Sequence, residues 1–319
     1  MPLIDVKPVK PPDRWAEVQP RVLVYSVAKR AARSRLLPLP PKLRIALGGF
    51  ARLGYPLDLQ RPCTFNERLI WLLLNTVDQR RSLLADKLAV KDYVAQRAPW
   101  VRTAEVFTSA ARGSDLRLDA LPDISVFKAN NDSGGVKVLV KPFDPRKVVA
   151  LADAWLERDP LRSKPAWERH YRDIPPRVFV ESFLGADPQR RVDDYRFFVF
   201  SGRVAVITIR VIDEAGRKHR MVLDREWGYL PVGHRKQPGT PFVVPDPSLV
   251  PPRPAQLSDM VRAAEALADD LPFVRADLYL EEGRVCFGEL TFSPNAGYTQ
   301  WPRATNLELG ALLRLPGGR

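Results

Sequence analysis

The chain has 319 residues, 45% of them hydrophobic and 27% charged, enough for a full core and about two domains or sub-domains. No run of about 18 uncharged apolar residues could span a bilayer. Three scattered histidines and two unpatterned cysteines leave little for a His-based metal cage, a Ser-His-Asp triad, a zinc site or a disulfide framework, so any metal should be hard and oxygen-bound. The formal net charge of +13 draws anions without choosing among nucleotide, nucleic acid, anionic lipid and acidic polymer. A basic surface without a function fits the wide spread of the arginines as well.

Residues 1–20 read as a proline-rich arm without the apolar core of a secretory signal, which predicts a cytoplasmic location and two reduced thiols. A basic, partly amphipathic stretch follows, interrupted at Pro38, Pro40 and Pro41, and predicts two short helices. These could make peripheral contact with the inner face of an anionic membrane, although packing on their own domain is the commoner outcome. Thr64-Phe65-Asn66-Glu67 has capping-box spacing and opens a helix to about Asn75 with Leu69, Ile70, Trp71, Leu73 and Leu74 on its core side. Ser82 is placed to cap a second helix, Leu83 to Ala95, with Lys87 and Lys91 on one face and Asp86 in an orienting or capping role.

The pattern then becomes strand-rich, with Ala104–Phe107 and Ser125–Lys128 predicted as strands. The polar loop Ala129–Gly135 follows Lys128, and its backbone N–H groups at Asn131, Ser133, Gly134 and Gly135 can approach phosphate oxygens. A Gly-Gly turn alone is more often a plain connection; the strand lysine before it strengthens the phosphate reading. Neither a P-loop nor a Rossmann glycine fingerprint is present. A helix from Pro145 to about Glu157, a strand Arg177–Phe183, a hairpin joining Asp194–Phe200 to Val204–Val211, a long proline-rich connection over 231–254 and a helix Gln256–Asp270 complete an α+β pattern with mostly antiparallel sheet.

The stretch from Phe273 to Gly297 is the most informative. Val274, Ala276, Leu278 and Leu280 alternate with Arg275, Asp277 and Tyr279, and a second alternating run starts at Arg284. A three-residue loop, Glu281-Glu282-Gly283, would place Arg275 opposite Glu289 and Asp277 diagonally on the same side, roughly 7–8 Å away. Cys286 and Leu290 would then join the apolar side. A two-residue loop would slip the register and turn Glu289 away. An ordinary cross-strand ion pair is the bland alternative.

The order of these pieces resembles the ATP-grasp superfamily: a Lys-bearing helix, a strand Lys before a glycine loop, V-x-V-E, D-x-R, R-x-D and an acidic strand. Within it the chain is similar to the teichuronopeptide-biosynthesis (TupA-like) group, through T-F-N-E-x-x-x-W-L at Thr64–Leu72, D-K-x-x-V-x-x-Y-V at Asp86–Val94, D-Y-x-F at Asp194–Phe197 and G-E-L-T-F at Gly288–Phe292. The resemblance covers about residue 40 to the end. It implies an ATP-grasp fold, with nucleotide held between two α+β lobes of antiparallel sheet after a helical N-terminal region. The implied divisions are 1–80, 81–182 and 183–319.

By the same resemblance Lys87 and Lys128 would contact nucleotide phosphates, and the Asn131–Gly135 loop would close over them. Glu181, with backbone groups at Ser182 and Leu184, would read adenine. Asp194 and Arg196 would flank the nucleotide, and Arg210 is a weaker phosphate candidate. Asp277 and Glu289 would bind Mg²⁺, and Arg275 would stabilise an acyl-phosphate and the tetrahedral species formed from it. Thr291 stands where the superfamily usually has a metal-binding Asn, and Asn295 lies four residues further on. The helical reading of residues 1–80 also lacks the usual Rossmann-like strands.

The implied activity is an ATP- and Mg²⁺-dependent carboxylate–amine ligation, with an acidic glycan or an amino acid as carboxylate partner, an amine as acceptor, and no nucleic acid partner. A phosphotransferase on a sugar hydroxyl and a non-catalytic binder of nucleic acid or acidic glycan stay open as alternatives.

Overall fold

The computed structural model describes residues 40–132, 134–161, 165, 167–185, 194–235 and 237–317. The proline-rich arm, the first basic helix and Ser133 lie outside the described residues.

Helix α1 (Pro41–Leu53) begins with proline in its first turn, where the missing N–H costs nothing, and stops at Gly54 in the left-handed conformation. Helix α2 (Phe65–Asn75) carries the full capping box. Glu67 does more than the motif requires: its carboxylate accepts from the backbone N–H groups of Thr64 (3.0 Å), Cys63 (3.1 Å) and Asp58 (2.9 Å), while the residue is 1% exposed. One buried carboxylate thereby closes the whole 58–67 turn and sets the angle at which Phe65 enters the core.

The expected helix from Leu83 to Ala95 is broken in two, α3 (Arg80–Ala85) and α4 (Val90–Arg97). Asp86 causes the break, because its Oδ1 accepts from the N–H groups of Leu88 and Ala89 and offers the backbone a turn in place of helix. Its Oδ2 accepts from Asn130 Nδ2 at 3.1 Å. Lys87 therefore sits in a turn tied to the 130s loop, and its own N–H donates to Asn130 O.

Two antiparallel sheets follow. The smaller has strand order β1 (Val106–Ala110), β4 (Val178–Ser182), β2 (Ile124–Ala129), β3 (Val136–Val140). Helix α5 (Pro145–Leu156) covers one side of it, with Trp155 stacked on Phe127 at 4.7 Å. The larger has the order β10 (Arg284–Thr291), β9 (Phe273–Glu281), β5 (Asp194–Phe200), β6 (Arg203–Ile212), β7 (Lys218–Leu223), β8 (Tyr229–Leu230). Helix α6 (Leu257–Ala268) packs across β9, β5 and β6. On the other side, Phe65 of α2 meets the rings of Phe198, Phe200 and Phe273 edge-on, at 6.4, 5.6 and 4.9 Å. Helix α7 (Arg303–Leu312) braces α2.

Helices α2, α3 and α4 share the hydrophobic core of the larger sheet, whereas the smaller sheet and α5 form a second core. Strands β3, β7 and β8 and helix α7 were not anticipated from the pattern.

Glu67→Ala removes the reciprocal half of the capping box and leaves the backbone donors of Asp58, Cys63 and Thr64 without their acceptor. It should lower unfolding free energy by more than about 2 kcal/mol in urea titration, with Glu67→Gln retaining part of the loss.

Candidate active site

The β9–β10 hairpin differs from its expected register in two ways that compensate. The loop has two residues, Glu282 and Gly283, both at positive φ (49° and 73°), the twist that suits a tight hairpin. Arg284 thus pairs with Glu281 and Val285 with Leu280. Alone, this slip would turn Glu289 into the core. The ladder then shifts between Phe287 and Glu289, so that Glu289 lies directly opposite Asp277 and Thr291 opposite Arg275.

The extra residue is Gly288. A Cβ there would come within 2.5 Å of the Tyr279 ring and 2.8 Å of Asp277 O, so only glycine fits. The two-residue turn also changes the expected core face ahead of the bulge: Val285 and Phe287 enter the core, and Cys286 pairs opposite Tyr279, on the same side as Asp277.

Arg275 ties the acidic pair together. Its Nε and Nη2 donate to the two Asp277 oxygens at 2.6 and 2.5 Å, and Nη2 also reaches Thr291 Oγ1 (3.1 Å) and Glu289 Oε1 (3.4 Å). Thr291 donates to Glu289 at 3.0 Å. Arg196, opposite Asp277 across β5, holds Asp194 through Nε at 2.8 Å and lies 3.8 Å from Asp277.

Burial pushes the Asp277 carboxyl up to about 7, against the opposing pull of Arg275. Burial also works to raise Glu289, but Lys87 and Arg275 outweigh it and hold that carboxyl below its usual range. The Glu289 side chain is 41% exposed and that of Asp277 only 5%, so Glu289 is the more accessible oxygen ligand.

Among the described residues no cluster of three His, Cys, Asp or Glu groups could hold a metal. Two carboxylates with a neighbouring hydroxyl nevertheless suit Mg²⁺, which keeps waters and takes one or two carboxylates plus phosphate oxygens. Asn295 adds nothing evident to that set: it has φ 50° and donates to Thr299 Oγ1.

Facing these groups are the lysines. Lys87 Nζ donates to Asp132 O at 2.8 Å, and Lys87 and Glu289 line one small cavity together with Val90, Tyr171 and Gly288. Burial lowers the Lys87 pKa, which Glu289 counteracts. Lys128 on β2 donates to Glu181 Oε1, and Lys91 Nζ donates to Glu181 Oε2 at 2.8 Å and to Ala104 O at 2.7 Å.

The sequence spacing places Lys91 only beside Lys87 on one helix face; the turn at Asp86 separates the two and sends Lys91 to Glu181. The Glu181 carboxylate is thus held by two lysines, and the Ser182 N–H donates to Glu105 O. Leu184 follows in irregular chain after β4. Asn131 is buried, and at Gly135 a Cβ would fall 2.8 Å from that of Ala129.

Another group was missed. Val136, Val138 and Val140 stand 48%, 37% and 48% exposed on β3, on the same side as Lys128, Val126 and Glu181. The alternation V-K-V-L-V was the available signal. Arg210 lies exposed on β6 opposite Arg220, on the same sheet face as Arg196 through Thr208.

A family model for the TupA-like ATP-grasp group matches residues 67–314. Among solved structures, D-alanine–D-alanine ligase from Bacillus anthracis complexed with ATP aligns at 16% identity over 72% of this chain and 65% of that one, with a TM-score of 0.44. The corresponding ligase from Helicobacter pylori gives 18%, 73%, 62% and 0.41. L-amino acid ligase from Bacillus licheniformis gives 13%, 73%, 49% and 0.42. The chain spans less than two thirds of the length of these structures. No curated protein matches it.

Gly288→Ala should destabilise the fold by about 1–3 kcal/mol, because the new Cβ meets both a ring and a backbone carbonyl. The same variant should weaken Mg²⁺-dependent nucleotide binding at least tenfold, read by calorimetry at a temperature where it stays folded.

Proposed function

This chain belongs to the TupA-like ATP-grasp family, and from that premise we propose that it joins a carboxylate to an amine at the expense of ATP, in assembly of a cell-surface polysaccharide or peptide polymer. The observation that carries the reading is the convergence on one acidic pair, Asp277 and Glu289, of four cations: Arg275, Arg196, Lys87 and Lys128. A terminal phosphoryl group repels a carboxylate nucleophile, and this arrangement offers cations for the phosphate oxygens beside carboxylates for a divalent ion.

The base of the nucleotide is assigned to the apolar side of β3, against Val136, Val138 and Val140, with the Lys91–Glu181–Lys128 cluster at its edge. Lys128 and Lys87 are assigned to the phosphates, and the backbone N–H groups of the Asn131–Gly135 segment to closing over them. Asp277 and Glu289, with Thr291 beside them, would hold Mg²⁺, which supplies charge neutralisation on the phosphate oxygens when bound. Asp194 and Arg196 occupy the neighbouring strand, where Arg196 is free to exchange its Asp194 contact for a phosphate oxygen. Arg210, two residues beyond Thr208, would take a more distant anionic group.

In the first step a substrate carboxylate oxygen attacks the γ-phosphorus, the bond to the β–γ bridging oxygen breaks, and ADP leaves. In the second the amine nitrogen attacks the acyl carbon, inorganic phosphate departs with the former carboxylate oxygen, and the nitrogen loses a proton. Arg275, whose Nε and Nη2 hold Asp277, would offer its Nη1 donors to the oxyanion that forms at that carbon. Water exclusion matters between the two steps, because water would otherwise hydrolyse the acyl-phosphate.

Turnover over a panel of uronic acids, acidic glycans and amino acids, with and without amines, tests this. Acid- and amine-dependent release of ADP and phosphate is expected, falling about 10²–10³-fold in Arg275→Ala and not fully restored in Arg275→Lys. A stable phosphorylated product formed without amine would make the protein a phosphotransferase. No nucleotide binding would leave a fold reused for binding alone.

A further inference from the structure

On the same side of the larger sheet as the acidic pair, the register runs Asp277, Arg196, Thr208, Val222 from β9 to β7. Arg220 is two residues from Val222 and so shares that side. Three strand spacings across, about 14 Å at roughly 4.8 Å each, and two residues along β7, about 7 Å, separate its backbone from that of Asp277 by about 16 Å.

The Arg220 guanidinium lies over the Trp301 ring, 4.4 Å from its centroid, and Nη2 donates to Gln300 O at 3.1 Å. Its Nε is shut off from solvent and has no acceptor among the described residues; the same holds for Trp301 Nε1. Among the described residues no carboxylate offsets the enclosure, and burial pushes the guanidinium down to about 10, still charged at neutral pH. The cations grouped around the acidic pair, by contrast, have acidic partners: Arg275 has Asp277, Lys91 and Lys128 have Glu181, and Lys87 has Glu289 nearby.

A second arginine is fastened to the same glutamine. Arg235 Nε donates to Gln300 Oε1 at 2.9 Å, and its Nη2 donates to Leu53 O. Gln300 and Trp301 lie on the segment that leaves β10 at Thr291, beyond the turn Pro294–Gly297. The indole face compensates for only part of the lost hydration of a guanidinium, and buried unpaired donors are rare enough in folded proteins to require an explanation.

We propose that Arg220, held by Gln300 and Trp301, binds a second, non-reacting anionic group of the carboxylate substrate. This rests on the ligase reading, and it narrows the substrate to an acid with two anionic groups, such as a diacid or an acidic polymer. The separation from Asp277 leaves room for the acid's body between its reacting carboxyl and its anchored group. Arg220 would then be a specificity-determining residue with no part in the chemical steps.

The test uses the full chain labelled at the indole nitrogens, with the Trp301 signal assigned from Trp301→Phe. Inorganic phosphate and glutarate are the probes, and Mg·ADP binding is followed in parallel by calorimetry. The Trp301 signal should shift saturably with glutarate, at least tenfold more weakly in Arg220→Gln, with Arg220→Lys intermediate; saturation by phosphate at lower concentration would make the anchored group a phosphate. A Trp301 signal that does not move, or that moves alike in the parent and Arg220→Gln, overturns the proposal. If Arg220→Gln does not fold, the comparison with Arg220→Lys decides. Loss of Mg·ADP binding in the parent with the Trp301 shift intact would sink the ligase reading and leave the anion site standing, so the two failures are separable.

Discussion

A single bulged residue determines whether this chain has an acidic pair at all. The tight turn at Glu282-Gly283 throws the β9–β10 register by one residue, and Gly288 throws it back. Glu289 consequently faces Asp277 directly, across one strand pair, with Arg275 and Thr291 one row away. No side chain can replace that glycine without pushing on Tyr279 or on the Asp277 carbonyl. The acidic strand and the arginine strand are thus locked to each other by backbone geometry, and the surrounding cations are arranged around a pair whose spacing is fixed before any ligand arrives.

The rest of the molecule can be read as support for that face. Phe65, delivered by the Glu67-organised turn, packs under the Phe198–Phe200–Phe273 end of the same side, while α6 packs across the sheet. The turn at Asp86 carries Lys87 out of a helix and against the 130s loop, so that one lysine bridges helical and strand regions. Burial of opposite charges close together makes each ion pair costly to break on one side only. That is the sense in which Lys91, Glu181 and Lys128 act as a unit.

Much of this was legible in the sequence, and the misses have physical causes. Thr64 and Glu67 announced a helix start because a capping box is a local hydrogen-bond pattern, and Pro145, Asp194 and the 256–270 run were found by local spacing. The register of β10 was not legible, since a bulge depends on contact between Gly288 and Tyr279 across the hairpin. Asp86 reads as a capping residue, and its turn bonds to Leu88 and Ala89 are local, but the Asn130 contact that ties that turn to the 130s loop comes from a residue distant in sequence. Strand β8 has only two residues, and the exposed valines of β3 look like a connection unless their face is known. Lys91 could be placed on a helix but not aimed, because its partner Glu181 comes from another sheet strand.

The central claim, that Asp277 and Glu289 form a divalent-ion site completed by nucleotide phosphates, is tested most directly by the affinity for ADP with and without Mg²⁺. Calorimetry on the parent and on Glu289→Gln should show ADP binding strengthened at least tenfold by Mg²⁺ in the parent and by much less in the variant. ADP affinity that is indifferent to Mg²⁺ in the parent, or equally enhanced in both, would contradict the account.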